Sequence, residues 1–439
     1  MGIRGDGPPH PGGVSTPSVV QSPTNALLRS PALIPFTYLL VALNLALPSA
    51  SEDDSPRWLR GNTHTHTLWS DGDAPPETVV AWYVDNGYQF LVLSDHNVMQ
   101  SGERWFDVQA DGRLTPEKVE AVRARFGDDW LRMRTTEGTD SMRLRTLEEL
   151  RSRFERPGEF VLVPGEEVTS SHRMSQIHIN AINVEEALPP LRTNSVQDTI
   201  QDTLDAITDW GRGNDRPVLG HVNHPNFQNS LASSNLAGIE GLGFFEVYNG
   251  HRSVQNERVG DRPSTEEMWD LALAARLSDP EGGDMLYGIA SDDAHDHYAP
   301  DAVSIPGRGW IMVRSESLDP DDLVRAMRKG AFYATTGVEL KDVLVESDTL
   351  TIDIDARPGT TYETFFIKGI PIEGSVRIDS ERSTEDPAVY RFRGDELYVR
   401  AVIRSSRLHP RPYRNGDLET AWTQPVRPPA HLRPGSDPK

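Results

Sequence analysis

Histidine and acidic residues recur at the ends of short apolar runs along this sequence. His64 and His66 are two residues apart, so the alternation of a strand places both imidazoles on one face. Similar groups end or follow later apolar runs or lie in the turns after them: Asp71, Asp95-His96, Glu166-Glu167, His178, His224, Asp292-Asp293 and His295. Imidazole and carboxylate together suit zinc, iron or manganese. Because these groups exceed the coordination sphere of one ion, the sequence predicts two or three divalent metal ions that share a carboxylate.

The elements that must position these groups alternate between strand and helix over residues 57–337. The predicted strands are 59–66, 89–96, 159–169, 176–184, 217–224, 242–248, 285–293 and 309–313, and the helical patterns include 76–86, 196–211, 265–278 and 319–329. Asp319 is the expected N-cap of the last helix. Repeated βα units of this kind predict an α/β fold of barrel type, in which functional groups gather at the carboxyl ends of the strands.

Three further segments have patterns of their own. Residues 100–158 form an insertion between the second and third strands, rich in Arg, Asp and Glu, which is expected either as a cap over the barrel mouth or as a solvated surface excursion. From 338 the pattern changes to alternation, which predicts a small all-β, sandwich-like domain over 338–425. Residues 426–439 are rich in proline and are expected as a flexible tail.

Charge and cysteine content exclude several classes of protein. The chain of 439 residues has a formal net charge of -22 and no cysteine. The absence of cysteine rules out a disulfide scaffold, a thiolate zinc site and a cysteine nucleophile. The acidic balance opposes binding to long nucleic acids, but it does not exclude a small anionic substrate that metal ions attract.

The amino-terminal region predicts export. Residues 1–31 are rich in Pro, Gly and Ser, and an apolar run over 32–47 is followed by small residues up to Ser51. A run of this length is typical of the hydrophobic region of a signal peptide. We therefore expect a periplasmic or extracellular protein without a membrane span after cleavage of residues 1–51; the alternative is a membrane anchor at 32–47.

Five short motifs together resemble the polymerase and histidinol phosphatase (PHP) superfamily. They are His64-Thr-His66 with Ser70-Asp71-Gly72, Ser94-Asp95-His96-Asn97, Gly165-Glu-Glu167-Val-Thr169, His224-Pro225-Asn226 and Ser291-Asp-Asp293-Ala-His295. The stretches 245–250, 330–337 and 421–425 resemble the carbaryl-hydrolase branch of that superfamily. The resemblance implies a distorted seven-stranded βα barrel of PHP type with two or three metal ions at its mouth.

The same resemblance implies a ligand set for each ion. The first ion would use His64, His66, Glu167 and Asp293; the second Glu167, His178 and His224; the third Asp71, His96 and His295. The motif spacings select Glu167 over Glu166, His224 over His221 and Asp293 over Asp292. Those three neighbours are expected to orient ligands.

The expected chemistry is hydrolysis by a metal-bridging hydroxide, so no side chain is assigned as the nucleophile. Asn249, Arg252 and Arg308 are candidate substrate contacts, with a turn-forming or structural role as the alternative for each. The first functional hypothesis is a secreted phosphoesterase for small phosphoesters or nucleotides. The second is a carbamate or carboxylic-ester hydrolase, and an exonuclease for short oligonucleotides or a non-catalytic binding protein are further alternatives. The sequence leaves the metal, the substrate and the oligomeric state open.

Overall fold

The computed structural model describes residues 55–279 and 283–433. The expected signal peptide and leader, 1–51, therefore lie outside the described residues. Within the two described ranges, no helix is long and apolar enough to cross a membrane.

Short strands and helices alternate through the first part of the described chain. In chain order they are β1 (Arg57–Asn62), α1 (Pro76–Asp85), β2 (Phe90–Val92), β3 (Trp105–Asp107), α2 (Pro116–Phe126), β4 (Met133–Thr136), β5 (Thr139–Arg143), α3 (Leu147–Phe154), β6 (Val161–Val163), β7 (Gly165–His172), β8 (Ser175–Ile182), α4 (Val196–Gly213), β9 (Leu219–Val222), α5 (Ser233–Ala237), β10 (Phe244–Asn249), α6 (Thr265–Leu277), β11 (Tyr287–Ser291), β12 (Trp310–Ser315), α7 (Pro320–Arg328) and β13 (Phe332–Thr335).

Strands alone make up most of the remainder. They are β14 (Leu340–Val345), β15 (Thr349–Ile354), β16 (Tyr362–Ile372), β17 (Ser375–Ser383), β18 (Ala388–Arg391), β19 (Tyr398–Leu408) and β20 (Leu418–Thr423). Part of the expected tail is ordered, because Val426 pairs with Val399 and a short 3₁₀ helix follows at Ala430–Leu432.

Side-chain caps explain where several helices begin. The expected N-cap of α7 is confirmed, because the Asp319 side chain accepts a hydrogen bond from the Asp321 N–H. Ser264 and Glu267 form a capping box at the start of α6, and Thr146 and Glu149 form one at the start of α3. Each box satisfies amide groups that the first turn of a helix leaves without partners.

The strands that carry the predicted metal ligands form two sheets, and these sheets do not close into the expected seven-stranded barrel. One sheet has the order β17-β16-β19-β20-β13-β12-β1-β2-β6, and the other has the order β11-β10-β9-β8-β7. Isolated bridges connect them at Thr65–Ala294 and His96–Glu167. Pro164 separates β6 from β7, and the chain changes sheets there because proline has no N–H to donate to a ladder.

The boundary expected at 338 does not separate two sheets. β20 pairs with β13, with Thr335 opposite Ala421, so the first sheet continues from the amino-terminal part into the carboxyl-terminal strands. The sheet β14-β15-β18 shares an apolar core with β16, β19 and β20, in which Leu350, Phe366 and Ile403 are buried. Sandwich-like packing is therefore present, but one of its layers belongs to the main sheet.

The insertion segment, residues 100–158, packs against the turn that follows β1. It contains the sheet β3-β5-β4 with α2 and α3. Leu114 and Val119 of the segment share a core cluster with Leu68 and Trp69 of that turn. Trp69 Nε1 also donates to the carbonyl of Arg145 at 2.9 Å. The segment is thus anchored by an apolar core that it shares with this turn.

A buried acid in the contact between α1 and this segment predicts a pH-dependent stability. Glu77 is 2% exposed, and burial raises the pKa of its carboxyl to about 7, although Trp130 Nε1 donates to it at 3.2 Å. A raised pKa in the folded state contributes stability below the unfolded pKa, and that contribution is lost as the pH rises through the folded pKa.

We therefore expect Glu77→Gln to increase the free energy of unfolding at pH 8 by about 1 kcal/mol or more, and to change it little at pH 4. Urea unfolding of both proteins at the two pH values measures this difference. An identical effect of the substitution at both pH values would contradict the assignment.

Candidate metal centre

The predicted ligands come together from the turns after strands of both sheets and from the middle of the β7–β8 hairpin. His64 and His66 follow β1, and His96 follows β2, next to the bridge that joins it to Glu167 of the other sheet. In the β7–β8 hairpin Thr169 lies opposite His178, two residues from Glu167, so alternation turns these side chains to the same face. The remaining candidates lie in the turns after β1, β9 and β11: Asp71, His224, Asp293 and His295.

Glu167 is at the centre of the cluster. Five imidazoles have a nitrogen within 3.4 Å of its carboxylate oxygens: those of His64, His66, His96, His178 and His224. Burial alone would raise the pKa of Glu167, but the neighbouring His96, His64 and His178 hold it well below its ordinary value. The carboxylate is therefore ionised and can bridge two ions, as the resemblance implies.

Asp293 approaches the same imidazoles from the other side. Its Oδ1 lies 3.2 Å from the Nε2 atoms of both His64 and His66, and its Oδ2 lies 4.0 Å from His224 Nε2. Burial and the neighbouring His295 and His96 lower the pKa of His66 to about 3. The ring of His66 is thus neutral at neutral pH, which is the form that binds a metal.

A third group of ligands lies at the solvent side of the cluster. Asp71 Oδ2 is 3.4 Å from His96 Nε2, and its Oδ1 is 3.3 Å from His295 Nε2 and 3.6 Å from His66 Nδ1. The Asp71 side chain is 54% exposed, whereas that of Glu167 is 1% exposed. The centre therefore opens to solvent beside Asp71.

The donor set fits divalent metal ions. The Nε2 atoms of His64, His66 and His178 are buried and have no hydrogen-bond partner. Buried polar atoms are normally paired, so unpaired nitrogens that converge on carboxylates are the arrangement that ligands of a shared cation require. Four groupings of these nine side chains have ligand atoms close enough together to hold an ion.

Strained backbone accompanies two of the ligands. His224 and Asp293 have φ angles of +23° and +49°, in the region that residues other than glycine rarely adopt. Hydrogen bonds hold both backbones there: the His224 N–H donates to Glu246 Oε2 at 2.7 Å, and the Asp293 N–H donates to the carbonyl of His64 at 3.0 Å. Such strain is common where a side chain must be aimed at a functional site.

Glu246 contacts the predicted ligand His64, and the sequence analysis did not assign it to the site. It is fully buried in β10, and its Oε1 lies 2.8 Å from His64 Nδ1 and accepts a hydrogen bond from Ser291 Oγ at 2.5 Å. A carboxylate on the far nitrogen of a metal-binding imidazole fixes its tautomer and orientation. The available signal was its place as a lone acid in the apolar stretch Phe244–Asn249.

We expect Glu246→Gln to weaken metal binding about 10- to 100-fold, because the amide no longer fixes the tautomer of His64 as firmly. Competition titration with a chromogenic chelator measures the change. The protein should keep its fold, since the amide oxygen can still accept from the His224 N–H, and the amide nitrogen can donate to Ser291 Oγ at the other position. Unchanged affinity would show that the contact does not orient a ligand.

Asn223 was also not assigned, and it holds the central carboxylate. Its Nδ2 donates to Glu167 Oε1 at 2.7 Å and to Asn180 Oδ1 at 2.8 Å. Asn180 in turn donates to the carbonyl of Thr63, directly before the first ligand. An asparagine before a His-Pro dipeptide gives no sequence signal of its own, so only the structure reveals this link.

The three candidate substrate contacts have other partners in the structure. Asn249 is 1% exposed, and its Nδ2 donates to Glu246 at 2.8 Å and to Asp293 at 3.1 Å. Arg252 donates to the carbonyls of Tyr413, Pro412 and Asp301. Arg308 is fully buried and donates to the carbonyls of Gly250, Val303 and Ala302. Asn249 thus steadies a ligand, and both arginines secure loops.

The three neighbours of the selected ligands also have defined surroundings. Asp292 accepts hydrogen bonds from Tyr83 and from the amides of 307–309. Glu166 accepts a hydrogen bond from the Leu188 N–H, and burial raises the pKa of its carboxyl to about 7. His221 is buried, with its ring 6.5 Å from that of His64. Of each adjacent or nearby pair, the residue that belongs to the cluster is the selected one: Glu167, His224 and Asp293.

Comparison with known proteins finds similarity of fold at low scores. A two-domain protein of Bacteroides vulgatus, described as containing a predicted PHP-like metal-dependent phosphoesterase, aligns with 80% of this chain and 91% of its own, with 14% identity and a TM-score of 0.37. A protein of Bifidobacterium adolescentis assigned as a metal-dependent phosphoesterase aligns with 62% and 96%, with 16% identity and a TM-score of 0.29.

No family model matches the chain, and no curated protein matches it. At these scores the function has to be argued from the geometry of the metal centre.

Proposed function

We propose that this protein is a metal-dependent hydrolase of ester bonds, with phosphoesters of small molecules or nucleotides as its substrates. The observation that supports this proposal is the convergence of six imidazoles and three carboxylates at one edge of the two sheets. The sequence motifs at these residues resemble the PHP superfamily, and we place the chain there as part of the proposal.

Two or three divalent ions, manganese, iron or zinc, would be held by the ligand sets that the motifs imply. His64, His66, Glu167 and Asp293 would hold the first, Glu167 with His178 and His224 the second, and Asp71 with His96 and His295 the third. When bound, such ions act as Lewis acids and lower the pKa of a bound water molecule to near neutrality. Glu246, Asn223 and Asn249 would keep the ligands in place through the bonds described above.

The exposure of the ligands indicates how substrate reaches the site. The side chains of Asp71, His96 and His295 are 54%, 22% and 20% exposed, whereas those of His64 and His66 are fully buried. The reacting ester therefore enters from the Asp71 side. A small substrate suits this opening, and the net charge of -22 opposes long nucleic acids.

Hydrolysis of a carbamate or carboxylic ester is the second candidate function. One observation favours it: the two arginines considered for a phosphate contact, Arg252 and Arg308, donate to backbone carbonyls instead. Resemblance of three stretches to the carbaryl-hydrolase branch is consistent with this alternative. A phosphoester would then depend on the metal ions alone for charge neutralisation.

The test combines metal analysis with hydrolysis assays on the purified chain. A phosphomonoester, a phosphodiester, a short oligonucleotide, an aryl ester and an aryl carbamate are offered to the protein and to a His64→Ala/His66→Ala double variant. Two or more ions per chain, with phosphoester hydrolysis lost in the variant, is the expected result. Preference for the ester or carbamate would select the second candidate. Absence of metal and of variant-sensitive hydrolysis, after addition of manganese, iron or zinc, would refute both.

We also propose that the protein is exported, on the basis of the apolar run 32–47 and the small residues after it. Mass spectrometry of the protein isolated from cells that express the full chain should show a product that lacks about the first 51 residues. A full-length, membrane-bound product would instead support the alternative of an anchor.

A further inference from the structure

The turn that carries Asp71 is held from three directions. Asp95 accepts hydrogen bonds from the Thr67 N–H at 2.8 Å and from Ser70 Oγ at 2.7 Å, which fixes the start of the turn. The Asp73 N–H donates to the carbonyl of His295 at 2.8 Å, which fixes its end. The third set of contacts comes from the insertion segment.

Arg113 of the insertion segment binds the backbone on both sides of Asp71. Its Nη1 donates to the carbonyl of Ser70 at 2.6 Å and to that of Gly72 at 3.4 Å. Asp111 orients the guanidinium, since Arg113 Nε lies 2.7 Å from Asp111 Oδ2. One side chain therefore spans the residue whose carboxylate faces His96 and His295.

Lys118 of α2 extends the same contact by one residue. Its Nζ donates to the carbonyl of Asp73 at 2.7 Å and to that of Arg113 at 2.8 Å, so it joins the turn to the arginine. It also lies 4.2 Å from the ring centroid of Tyr298. Two cations of the insertion segment thus bind three carbonyls of the turn, those of residues 70, 72 and 73.

This contact matters because Asp71 is the most exposed of the predicted ligands. A ligand in a solvent-exposed turn loses conformational freedom when it binds an ion, and that loss weakens binding unless the turn is already fixed. Among the described residues, Asp71 pairs with His66, His96 and His295, and not with Arg113 or Lys118. Lys118 Nζ also lies 3.2 Å from Asp73 Oδ2. Both cations would repel a metal ion, so their contribution to metal binding depends on holding the turn and not on charge attraction to the ion.

We propose that Arg113 and Lys118 are positioning residues for Asp71, and that the insertion segment thereby sets the affinity of the ion bound by Asp71, His96 and His295. The proposal rests on the proposed function, because it requires that these residues bind a metal. It assigns a role to residues 100–158 that is neither a cap over the substrate nor a surface excursion.

The experiment is a Mn²⁺ titration of the full chain, followed by electron paramagnetic resonance, which counts bound ions and measures the affinity of each. We expect Arg113→Met to lower the affinity for one Mn²⁺ per chain about 10-fold or more and to leave the affinity for the others unchanged. Electrostatics alone predicts the opposite sign, because the variant removes a positive charge near a cation. The matched control is Arg123→Met on α2, whose guanidinium pairs with Glu120 and Asp128.

A second arm separates positioning from general stabilisation. In an Asp71→Asn background, Arg113→Met should cause no further loss of Mn²⁺ affinity, because the two residues act through one another. If Arg113→Met does not fold, Arg113→Lys and Lys118→Met are titrated in its place. Each is then expected to lower the affinity for the same single Mn²⁺, by a smaller factor than Arg113→Met.

Three results would overturn the proposal: unchanged affinity in the arginine and lysine variants, equal weakening of every ion, or an additive loss in the Asp71→Asn background. A wild-type chain that binds no Mn²⁺, Fe²⁺ or Zn²⁺ would overturn the proposed function instead. The two failures are thus distinguishable, since the second is seen before any variant is made.

Discussion

Glu167→Gln is expected to lower metal affinity and hydrolytic activity by more than about 100-fold, beyond the loss typical of a residue that only orients a ligand. Five imidazoles lie within 3.4 Å of the Glu167 carboxylate, and the proposed ligand sets of two ions share it. Glutamine keeps the size of the side chain but removes the charge, and its amide nitrogen cannot coordinate a metal. Calorimetric titration with Mn²⁺ and the preferred ester assay measure the two losses.

The neighbouring Glu166→Gln is the matched control. Both acids are fully buried in adjacent positions of β7. The two variants make the same chemical change, so any difference between them reports the position of the carboxylate. Burial already raises the pKa of Glu166 to about 7, and glutamine resembles its protonated form. Metal affinity should therefore stay within about twofold of the wild type, in line with substitutions that remove no specific contact. A larger loss from Glu166→Gln than from Glu167→Gln would show that the wrong acid was selected.

The gathering of the ligands was predictable because it depends on local rules. A residue a few positions after a buried strand lies near that strand's carboxyl end, whatever the sheet order. His64, His96, His224 and Asp293 are therefore placed near one edge by strand position alone. The spacing of His64 and His66 adds the shared face, as alternation requires.

The sheet order was less predictable, because it depends on pairing between distant segments. The strand Leu418–Thr423 was not predicted, and nothing in its sequence says that it pairs with Phe332–Thr335 of the amino-terminal part. Similarly, β7 and β8 form a hairpin without an intervening helix, so the chain departs from a regular βα repeat. Helical patterns were predicted between only several of the strands, so the sequence pattern supports a barrel less strictly than a regular repeat would.

The roles of single polar residues were the hardest to predict. Glu246 and Asn223 contact ligands only because their strands lie beside those of His64 and Glu167. Arg252 and Arg308 were candidates because each carries a positive charge near a turn. Charge alone does not show which acceptor a guanidinium binds, and in the structure both donate to backbone carbonyls. Arg113 has no distinguishing sequence signal within the charged insertion, and only its contacts with the carbonyls of Ser70 and Gly72 indicate a role.

The contact between α6 and the carboxyl-terminal strands leads to the second large prediction. Arg400 of β19 and Asp270 of α6 form a bidentate pair, with Nε–Oδ1 and Nη2–Oδ2 distances of 2.9 and 2.7 Å. The Arg400 side chain is 1% exposed and that of Asp270 is 11% exposed. Tyr398 also donates to Asp270 Oδ1 at 2.9 Å. The pair therefore joins the last strands to a helix of the amino-terminal part through side chains that are largely buried.

Asp270→Asn should lower the free energy of unfolding by about 3–5 kcal/mol, because it leaves the Arg400 charge buried without a counter-ion. Urea unfolding measures the loss, and an Asp270→Asn/Arg400→Met double variant should recover part of it. The exposed pair Arg258–Glu267, at the same helix, is the comparison: Arg258→Met should cost less than about 1 kcal/mol. If Asp270→Asn proves as mild as Arg258→Met, the carboxyl-terminal strands are held by strand pairing with β13 and apolar contact alone. Deletion of 338–439 would then remain destabilising, since it also removes β20 from the edge of β13.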